Sequence, residues 1–177
     1  KGKIIIKGNS CEREEEGRAD YVLFQKPGVP IAVVEAKTFN DKPETGLQQA
    51  QEYADHLDVP FVFSSNGEEF VFYNKTSSSE IQSNLNLNSF PSPDELWNQF
   101  KKWKKLDDKQ SQNYMTELYC DPDKEPRAYQ LKAINKTIDA IIKGQKRILL
   151  VMATGTGKTY TVFNIIWKLW KGNLKKR

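Results

Sequence analysis

The sequence feature that most constrains the fold is a glycine-rich loop between an apolar run and an amphipathic segment. The apolar run covers 147–152 (RILLVM) and is typical of a buried parallel strand. The loop 153–159 (ATGTGKT) follows it, and 158–171 carries apolar residues at helical spacing. Strand, loop and helix in this order predict the opening of an α/β nucleotide-binding domain.

The residues of this loop have the chemistry that phosphate binding requires. Gly155 and Gly157 allow backbone N–H groups to turn toward phosphate oxygens, and the helix that begins near Lys158 points its positive end at them. Lys158 supplies a charge for the β- and γ-phosphates, and Thr159 is expected to hold Mg²⁺. The predicted nucleotide-binding residues are Thr154, Gly155, Thr156, Gly157, Lys158 and Thr159.

The chain is long enough for one small domain and part of a second. It has 177 residues, of which 38% are hydrophobic and 28% charged, so a packed core in a soluble protein is expected. No apolar run approaches the roughly 20 residues of a membrane span, so no membrane segment is expected. Cys11 and Cys120 lie far apart without metal-ligand spacing, which favours a reduced intracellular compartment. The net charge of +4 is compatible with polyanion binding without being diagnostic of it.

The first half of the chain predicts a compact sheet. Short runs rich in β-branched and aromatic residues alternate there with Pro-Gly and Asn-Gly breaks. Between the second and third runs, apolar residues recur at helical spacing over 44–57, which predicts a helix packed on the sheet. The predicted order is strand, strand, helix, strand, strand, with strands over 21–24, 30–35, 60–63 and 69–73.

The second half predicts helices after a polar connector. Residues 74–92 are rich in Ser and Asn without a sustained period and are interpreted as the connector. The segment 93–106 carries one apolar stripe with its lysines mostly off it, which favours a packing helix over a nucleic-acid-binding helix. A further helix is predicted over 129–143.

Asp20 and the run Glu35-Ala36-Lys37 form a second candidate site. Glu35 and Lys37 are two residues apart on a strand, so their side chains share a face. If the first two strands form a hairpin through 26–28, the Asp20 carboxylate lies alongside Glu35. Two carboxylates and the Ala36 carbonyl form an oxygen-rich set that suits Mg²⁺, so Asp20, Glu35 and Ala36 are the predicted metal ligands. Lys37 can position an attacking water or stabilise charge that develops on a phosphodiester.

A surface ion pair is the alternative interpretation of this second site. Another acid-x-lysine string occurs at 107–109 (DDK), but it follows a predicted helix and has no partner acid, so we interpret it as solvated charge. Glu35 and Lys37 instead end an apolar strand, which favours a nuclease site.

The predicted helix over 44–57 adds polar residues next to its apolar stripe. Gln49 and Tyr53 are four residues apart, so they lie one above the other and border the face expected to be buried. His56 continues this line as the only histidine of the chain, and a structural role is expected for it rather than a catalytic one.

The order of these residues resembles a known nuclease family. Residues 17–21 (GRADY), then 35–37 (EAK), then Gln49 and Tyr53 are similar to the nuclease domain of the PD-(D/E)xK superfamily, in the form carried by the restriction subunit of type I restriction-modification enzymes. The resemblance implies that Asp20, Glu35 and Lys37 are catalytic and that Gln49 and Tyr53 serve the nuclease.

The chain departs from the pattern of that superfamily at two places. Ala19 stands where the superfamily name has Pro. A further acidic residue from a preceding helix often belongs to such sites, and that helix would precede Lys1. The residues that could substitute for this acid are Glu12, Glu14, Glu15 and Glu16.

The glycine-rich loop resembles the phosphate loop of superfamily 2 helicases and translocases. Met152 stands where the general string has Gly, as in the variant of that superfamily. Upstream, 126–130 (PRAYQ) resembles the segment that reads adenine in these motors, which implies that Gln130 contacts the base while Arg127 or Tyr129 stacks near it. The Asp-Glu pair that activates water is not present downstream of the loop, so this chain by itself is not expected to hydrolyse ATP.

The two resemblances imply an α/β fold with two parts. A restriction-endonuclease-like mixed sheet with flanking helices is expected first, and the first strand-loop-helix of a RecA-like phosphate-loop domain follows. The expected division is a nuclease domain over 1–75 without its N-terminal helix, a connector with an amphipathic helix over 76–120, and the truncated start of the motor over 121–177.

The implied function is Mg²⁺-dependent cleavage of double-stranded DNA coupled to ATP-driven DNA translocation. The resemblance implies a prokaryotic, cytoplasmic complex with modification and specificity subunits. Two alternatives stay open, namely another nuclease-motor fusion in DNA repair or phage defence, and a non-catalytic DNA-binding module with the nuclease fold. Intact Asp20, Glu35 and Lys37 argue against the last.

Overall fold

The computed structural model describes residues 4–7, 10–13, 19–77, 80–119 and 126–172. Short 3₁₀ turns at Pro43–Gly46 and Leu87–Ser89 join some of the regular elements. Within the described ranges the strands are β1 Ile4–Lys7, β2 Ser10–Arg13, β3 Tyr21–Lys26, β4 Val29–Ala36, β5 Phe61–Ser65, β6 Glu69–Asn74 and β7 Glu80–Asn86. The α-helices are α1 Leu47–Leu57, α2 Pro93–Lys104, α3 Asp108–Tyr114, α4 Ala128–Ile142 and α5 Lys158–Lys171.

Strands β3 to β7 form a five-stranded mixed sheet in sequential order, while β1 and β2 pair as a separate hairpin. β4 and β5 are parallel, and the other neighbours in the larger sheet are antiparallel. Parallel neighbours need a crossover connection, and here that connection contains α1, which packs on β4 and β5. The predicted mixed sheet and its order of strand, strand, helix, strand, strand are therefore confirmed.

The core lies between α1 and the central strands of the sheet. The apolar stripe of α1 contains two alanines, Ala50 and Ala54, whose small side chains allow the helix to approach the sheet closely. Phe63 of β5 stacks on Phe72 of β6 with ring centroids 4.6 Å apart. β4 and β5 are almost wholly apolar and buried up to their C-terminal ends. The polar residues at those ends are therefore attached to well-packed strands.

The connector predicted over 74–92 is wrong in part, because it contains β7. This strand pairs antiparallel with β6 at the edge of the sheet, and its side chains are almost all exposed. An edge strand that buries little carries no alternation of apolar and polar residues, so the period that predicts strands is missing from 80–86 (EIQSNLN).

The buried strand predicted over 147–152 is also wrong. The segment has no strand pairing within the described residues, and Leu149 and Val151 are each 86% exposed. A parallel strand is stabilised by hydrogen bonds to neighbours on both sides. The described strands pair only with one another, so none of them serves as such a neighbour for 147–152.

The helices predicted over 93–106, 129–143 and 158–171 are confirmed as α2, α4 and α5. In α2 the stripe of Leu96, Trp97 and Phe100 is buried, in agreement with the packing interpretation. α4 packs against both α1 and α5, so it connects the sheet with the C-terminal part of the chain. None of the described helices combines the length and apolar character needed to cross a membrane.

A buried lysine ties α5 to the hairpin that joins β3 and β4. Lys168 is fully buried, and its Nζ donates to the Tyr114 carbonyl at 3.2 Å and to Asn135 Oδ1 at 3.3 Å. The Asn135 amide in turn donates to the Gly28 carbonyl in the hairpin turn at 3.0 Å. Burial lowers the pKa of Lys168 from its usual 10.5 to about 7.

This lowered pKa predicts how the stability of the fold depends on pH. Between pH 10.5 and about 7 the unfolded chain binds a proton at Lys168 that the folded chain does not, so stability falls as the pH falls. In this window the free energy of unfolding of the wild type should change with pH by up to about 1.4 kcal/mol per pH unit because of Lys168. We expect this contribution to be absent in Lys168→Met. Urea unfolding at pH 7 and pH 9 measures it, with the exposed Lys102→Met as control; a wild-type slope in Lys168→Met would contradict it.

Candidate functional sites

The hairpin of β3 and β4 brings Asp20 to Glu35 as predicted. Tyr21 pairs with Val34 across the hairpin, so Asp20 lies next to the position opposite Glu35. The Asp20 side chain is held by the main chain of β4, since the Ala36 N–H donates to Asp20 Oδ2 at 2.7 Å. Asp20 is exposed, so the cluster opens to solvent on the side of this carboxylate.

Glu35 is the buried member of the cluster, with 4% of its surface exposed. Lys37 Nζ donates to Glu35 Oε1 at 2.9 Å, and the Lys37 N–H donates to the Ser65 carbonyl at 2.7 Å. Glu35 Oε2 is buried and has no hydrogen-bond partner among the residues that the structure describes. A buried carboxylate oxygen without a partner is costly, so this oxygen indicates a place for a ligand.

The cluster fits a small, hard cation. Asp20 and Glu35 offer carboxylate oxygens and Ala36 a main-chain carbonyl, which are the donors that Mg²⁺ prefers. The part of the chain described by the structure contains no group of three His, Cys, Asp or Glu side chains suited to a metal. The candidates for a third acid, Glu14, Glu15 and Glu16, lie outside the described residues, as does the side chain of Glu12.

Gly46 and Ser64 also belong to the cluster, although no sequence motif marks either of them. A Cβ atom on Gly46 would lie 2.5 Å from Lys37 Cε, 2.5 Å from Ser64 Oγ and 2.8 Å from Glu35 Cγ. Only glycine fits there, because any side chain would displace the cluster. The 3₁₀ turn that ends at Gly46 leads directly into α1, so the first turn of α1 begins beside the cluster.

The positions predicted for the polar residues of α1 agree in part with the structure. Tyr53 is half-buried and packs against the core, whereas Gln49, one turn earlier, is exposed. His56 is exposed in the last turn of α1, where a basic residue faces the negative end of the helix dipole. A role of Gln49 and Tyr53 in the nuclease stays a prediction.

The glycine-rich loop has the backbone conformation that its sequence predicts. Gly155 and Gly157 have positive φ angles of 78° and 79°, and Gly157 is the N-cap of α5. The Ala153 carbonyl accepts from the Thr156 hydroxyl at 2.6 Å and from Lys158 Nζ at 3.3 Å. Lys158 and Thr159 are exposed at the first turn of α5, which leaves both side chains available to a phosphate ligand.

The first turn of α4 contacts this loop. Gln130 Nε2 donates to the Thr156 carbonyl at 2.9 Å, and the Tyr129 hydroxyl donates to the same oxygen at 3.1 Å. The Arg127 N–H donates to Gln130 Oε1 at 2.9 Å, so both ends of the Gln130 amide are engaged. The structure thus brings Gln130 and Tyr129 to the loop, with Arg127 bonded to Gln130. Adenine reading by Gln130 stays a prediction.

Gly157 offers a test of this contact between α4 and the loop. A Cβ atom at Gly157 would overlap Gln130 Nε2, whereas a Cβ at Gly155 would meet open space. Both glycines have positive φ, so Gly155→Ala serves as a matched control for backbone strain. We expect Gly157→Ala to weaken binding of a fluorescent ATP analogue at least about tenfold more than Gly155→Ala does. Equal losses in the two variants would show that the contact does not shape the loop.

Comparisons with known proteins identify both parts of the chain. Residues 5–81 match the family model described as type I restriction enzyme R protein N terminus (HSDR_N). Residues 123–177 match the model described as type III restriction enzyme, res subunit (ResIII). The chain is 50% identical over 179 residues to the type I restriction enzyme EcoAI endonuclease subunit of Escherichia coli, covering 99% of this chain and 22% of the relative.

Two further comparisons agree with these matches. The type I restriction enzyme EcoKI endonuclease subunit of Escherichia coli K12 is 29% identical over 220 residues, covering 94% of this chain and 18% of the relative. A fragment structure described as an HsdR subunit of a type I restriction enzyme from Vibrio vulnificus YJ016 superposes with a TM-score of 0.78. It is 39% identical and matches 98% of this chain and 32% of that chain.

The mixed sheet carries the carboxylate cluster, and the glycine-rich loop follows it in the chain. Together with the two family matches, this order places the chain in the class of restriction-enzyme subunits in which a nuclease region precedes a helicase-like region. Within this class the chain matches a fragment of the R, or endonuclease, subunits of type I restriction enzymes. It spans about a fifth of the length of the curated relatives that it matches.

Proposed function

We propose that this chain carries the DNA-cutting site of a type I restriction enzyme and the first phosphate-binding elements of its motor. The observation that carries the proposal is the convergence of Asp20, Glu35 and Lys37 at one end of β3 and β4, around a buried carboxylate oxygen. The substrate is double-stranded DNA, and the reaction is hydrolysis of a phosphodiester.

Each member of the cluster has its own role in this proposal. Asp20, Glu35 and the Ala36 carbonyl would hold Mg²⁺. The chemistry that Mg²⁺ supplies at such a site is activation of water and compensation of phosphate charge. The hydrogen bond from Lys37 to Glu35 Oε1 keeps the ammonium beside the reacting phosphodiester, where it orients water or stabilises developing negative charge.

The loop 153–159 supplies the nucleotide site of the proposed motor. Positive φ at Gly155 and Gly157 turns the loop into the N-terminus of α5, where a helix favours phosphate. Lys158 would contact the β- and γ-phosphates of ATP, and Thr159 would hold the accompanying Mg²⁺. The contact of Gln130 with Thr156 supports a role of the first turn of α4 in shaping this site.

The proposal extends to domain organisation and partners. The nuclease part corresponds to 1–75, with β7 adding an edge strand beyond it; the connector and the start of the motor correspond to 76–120 and 121–177. As in other enzymes of this type, modification and specificity subunits would complete the complex in the prokaryotic cytoplasm, and translocation driven by ATP would precede cutting.

A metal titration tests the proposed cutting site without relying on catalysis. Glu35→Gln keeps the shape of the side chain but removes the charge of its buried oxygen, so we expect Mn²⁺ affinity to fall about 10- to 100-fold. Isothermal titration calorimetry of the chain measures it, with Glu52→Gln on the exposed face of α1 as control. If Glu35→Gln bound Mn²⁺ as the wild type does, the metal site would have to lie elsewhere.

A further inference from the structure

Ser64 lies beside Glu35 in the centre of the sheet. In the parallel pairing of β4 and β5, Glu35 is in register with Ser64, so the two side chains emerge on the same face of the sheet. Ser64 is fully buried, and its hydroxyl has no hydrogen-bond partner among the described residues. A hydroxyl next to a carboxylate is a natural donor to it.

Gly46 shows how closely Ser64 approaches the cluster. The position of a Cβ atom at Gly46 is within 2.8 Å of atoms from Ser64, Lys37 and Glu35 at once. Ser64 Oγ therefore borders the same small volume, next to Gly46, as the aliphatic chain of Lys37 and the side chain of Glu35. The 3₁₀ turn Pro43–Gly46 and α1 pack against β4 and β5 beside this volume.

The polar atoms in this volume are arranged at a cost to stability. Within the described part of the chain, Glu35 Oε2 and Ser64 Oγ are both buried and unpartnered. Alanine at position 64 would remove one of these unpartnered atoms without creating a large cavity, so it would be expected to keep or raise stability. The Ser64 hydroxyl therefore gains no hydrogen bond within the described residues, and its position beside Glu35 points to a role toward that carboxylate.

We propose that Ser64 is a positioning residue of the carboxylate cluster, whose hydroxyl donates to Glu35 Oε2 and orients this carboxylate when the cluster binds a divalent cation. Forming this hydrogen bond requires the Ser64 hydroxyl and the Glu35 carboxylate to rotate toward each other, because neither atom has a partner among the described residues. Lys37 then donates to one oxygen of Glu35 and Ser64 donates to the other. The orientation of the carboxylate is thereby fixed, and the remaining lone pairs of its oxygens can face the cation. The inference rests on the proposed function of the cluster.

The test is to compare Ser64→Ala with Ser111→Ala in stability and in cation affinity. Ser111 is a buried serine on α3 whose hydroxyl donates to the Asp108 carbonyl, so its loss is expected to lower Tm and leave cation binding unchanged. For Ser64→Ala we expect Tm to be equal or higher and the Kd for Mn²⁺ to rise about tenfold. Calorimetric Mn²⁺ titration and thermal unfolding of the chain give the two readouts.

The outcomes separate this inference from the function on which it rests. Unchanged Mn²⁺ affinity in Ser64→Ala, with Glu35→Gln impaired, overturns the role of Ser64 and leaves the metal site standing. A lower Tm for Ser64→Ala with unchanged affinity assigns the hydroxyl to the fold and also overturns the proposal. If Glu35→Gln itself binds Mn²⁺ normally, the proposed function of the cluster fails first.

Discussion

Replacing Lys37 with alanine is expected to lower DNA cleavage by the complete enzyme about 10²- to 10³-fold, while ATP hydrolysis stays within about twofold of wild type. The ammonium lies 2.9 Å from Glu35 Oε1. In the proposed mechanism it acts from there on the reacting phosphodiester. The glycine-rich loop is formed by other residues, 153–159, so the motor keeps its own chemistry. Agarose-gel cleavage of circular DNA and a coupled ATPase assay measure the two activities.

Lys109 supplies the matched control for Lys37. It ends the other acid-x-lysine string at 107–109, which in the structure belongs to the start of α3, where Asp107 caps the helix through the Gln110 N–H. Lys109 is exposed, and Lys109→Ala is expected to cut DNA at the wild-type rate. Cleavage that survives in Lys37→Ala would remove Lys37 from the catalytic set.

Replacing Lys158 with arginine is expected to damage ATP hydrolysis and to leave the carboxylate cluster intact. The charge is kept, but a planar guanidinium cannot replace a compact ammonium inside the loop, so ATP hydrolysis by the complete enzyme should fall at least about 10²-fold. Cleavage that depends on translocation should fall with it. Mn²⁺ binding to the carboxylate cluster should stay unchanged, because Lys158 lies at the first turn of α5.

A second lysine-to-arginine change controls for the altered side chain. Lys146 is exposed ahead of the segment 147–152, and Lys146→Arg is expected to leave ATP hydrolysis at the wild-type rate. The role of the loop in the motor would be refuted by normal ATP turnover in Lys158→Arg.

Much of the nuclease part is predictable from sequence because its signals are local. Buried strands such as β4 and β5 are rich in apolar, β-branched and aromatic residues, and α1 repeats its apolar residues at helical spacing. A hairpin through 26–28 is enough to bring Asp20 to the end of β4, and the structure agrees.

The errors occur where structure depends on distant partners. β7 is stabilised as an edge strand by pairing with β6, and its own residues show no alternation that would predict it. The run 147–152 has the composition of a buried strand, yet composition does not supply the neighbouring strands that it needs. In both cases pairing decides the outcome more than propensity does.

Gly46 and Ser64 could not have been found from sequence for a similar reason. Gly46 has no positive φ or turn signature that would mark it, and its importance comes from packing on Lys37, Ser64 and Glu35. Ser64 reads as an ordinary polar residue at the end of a strand. Only the parallel register of β4 and β5 shows that it lies beside Glu35.

Asp20 and Glu35 are proposed to hold a divalent cation beside Lys37. Anomalous diffraction from crystals of the chain soaked in Mn²⁺ tests this proposal most directly, because the metal position is seen without any assumption about activity. We expect a peak coordinated by carboxylate oxygens of Asp20 and Glu35. A peak elsewhere, or density at this cluster that persists in Glu35→Gln, would contradict it.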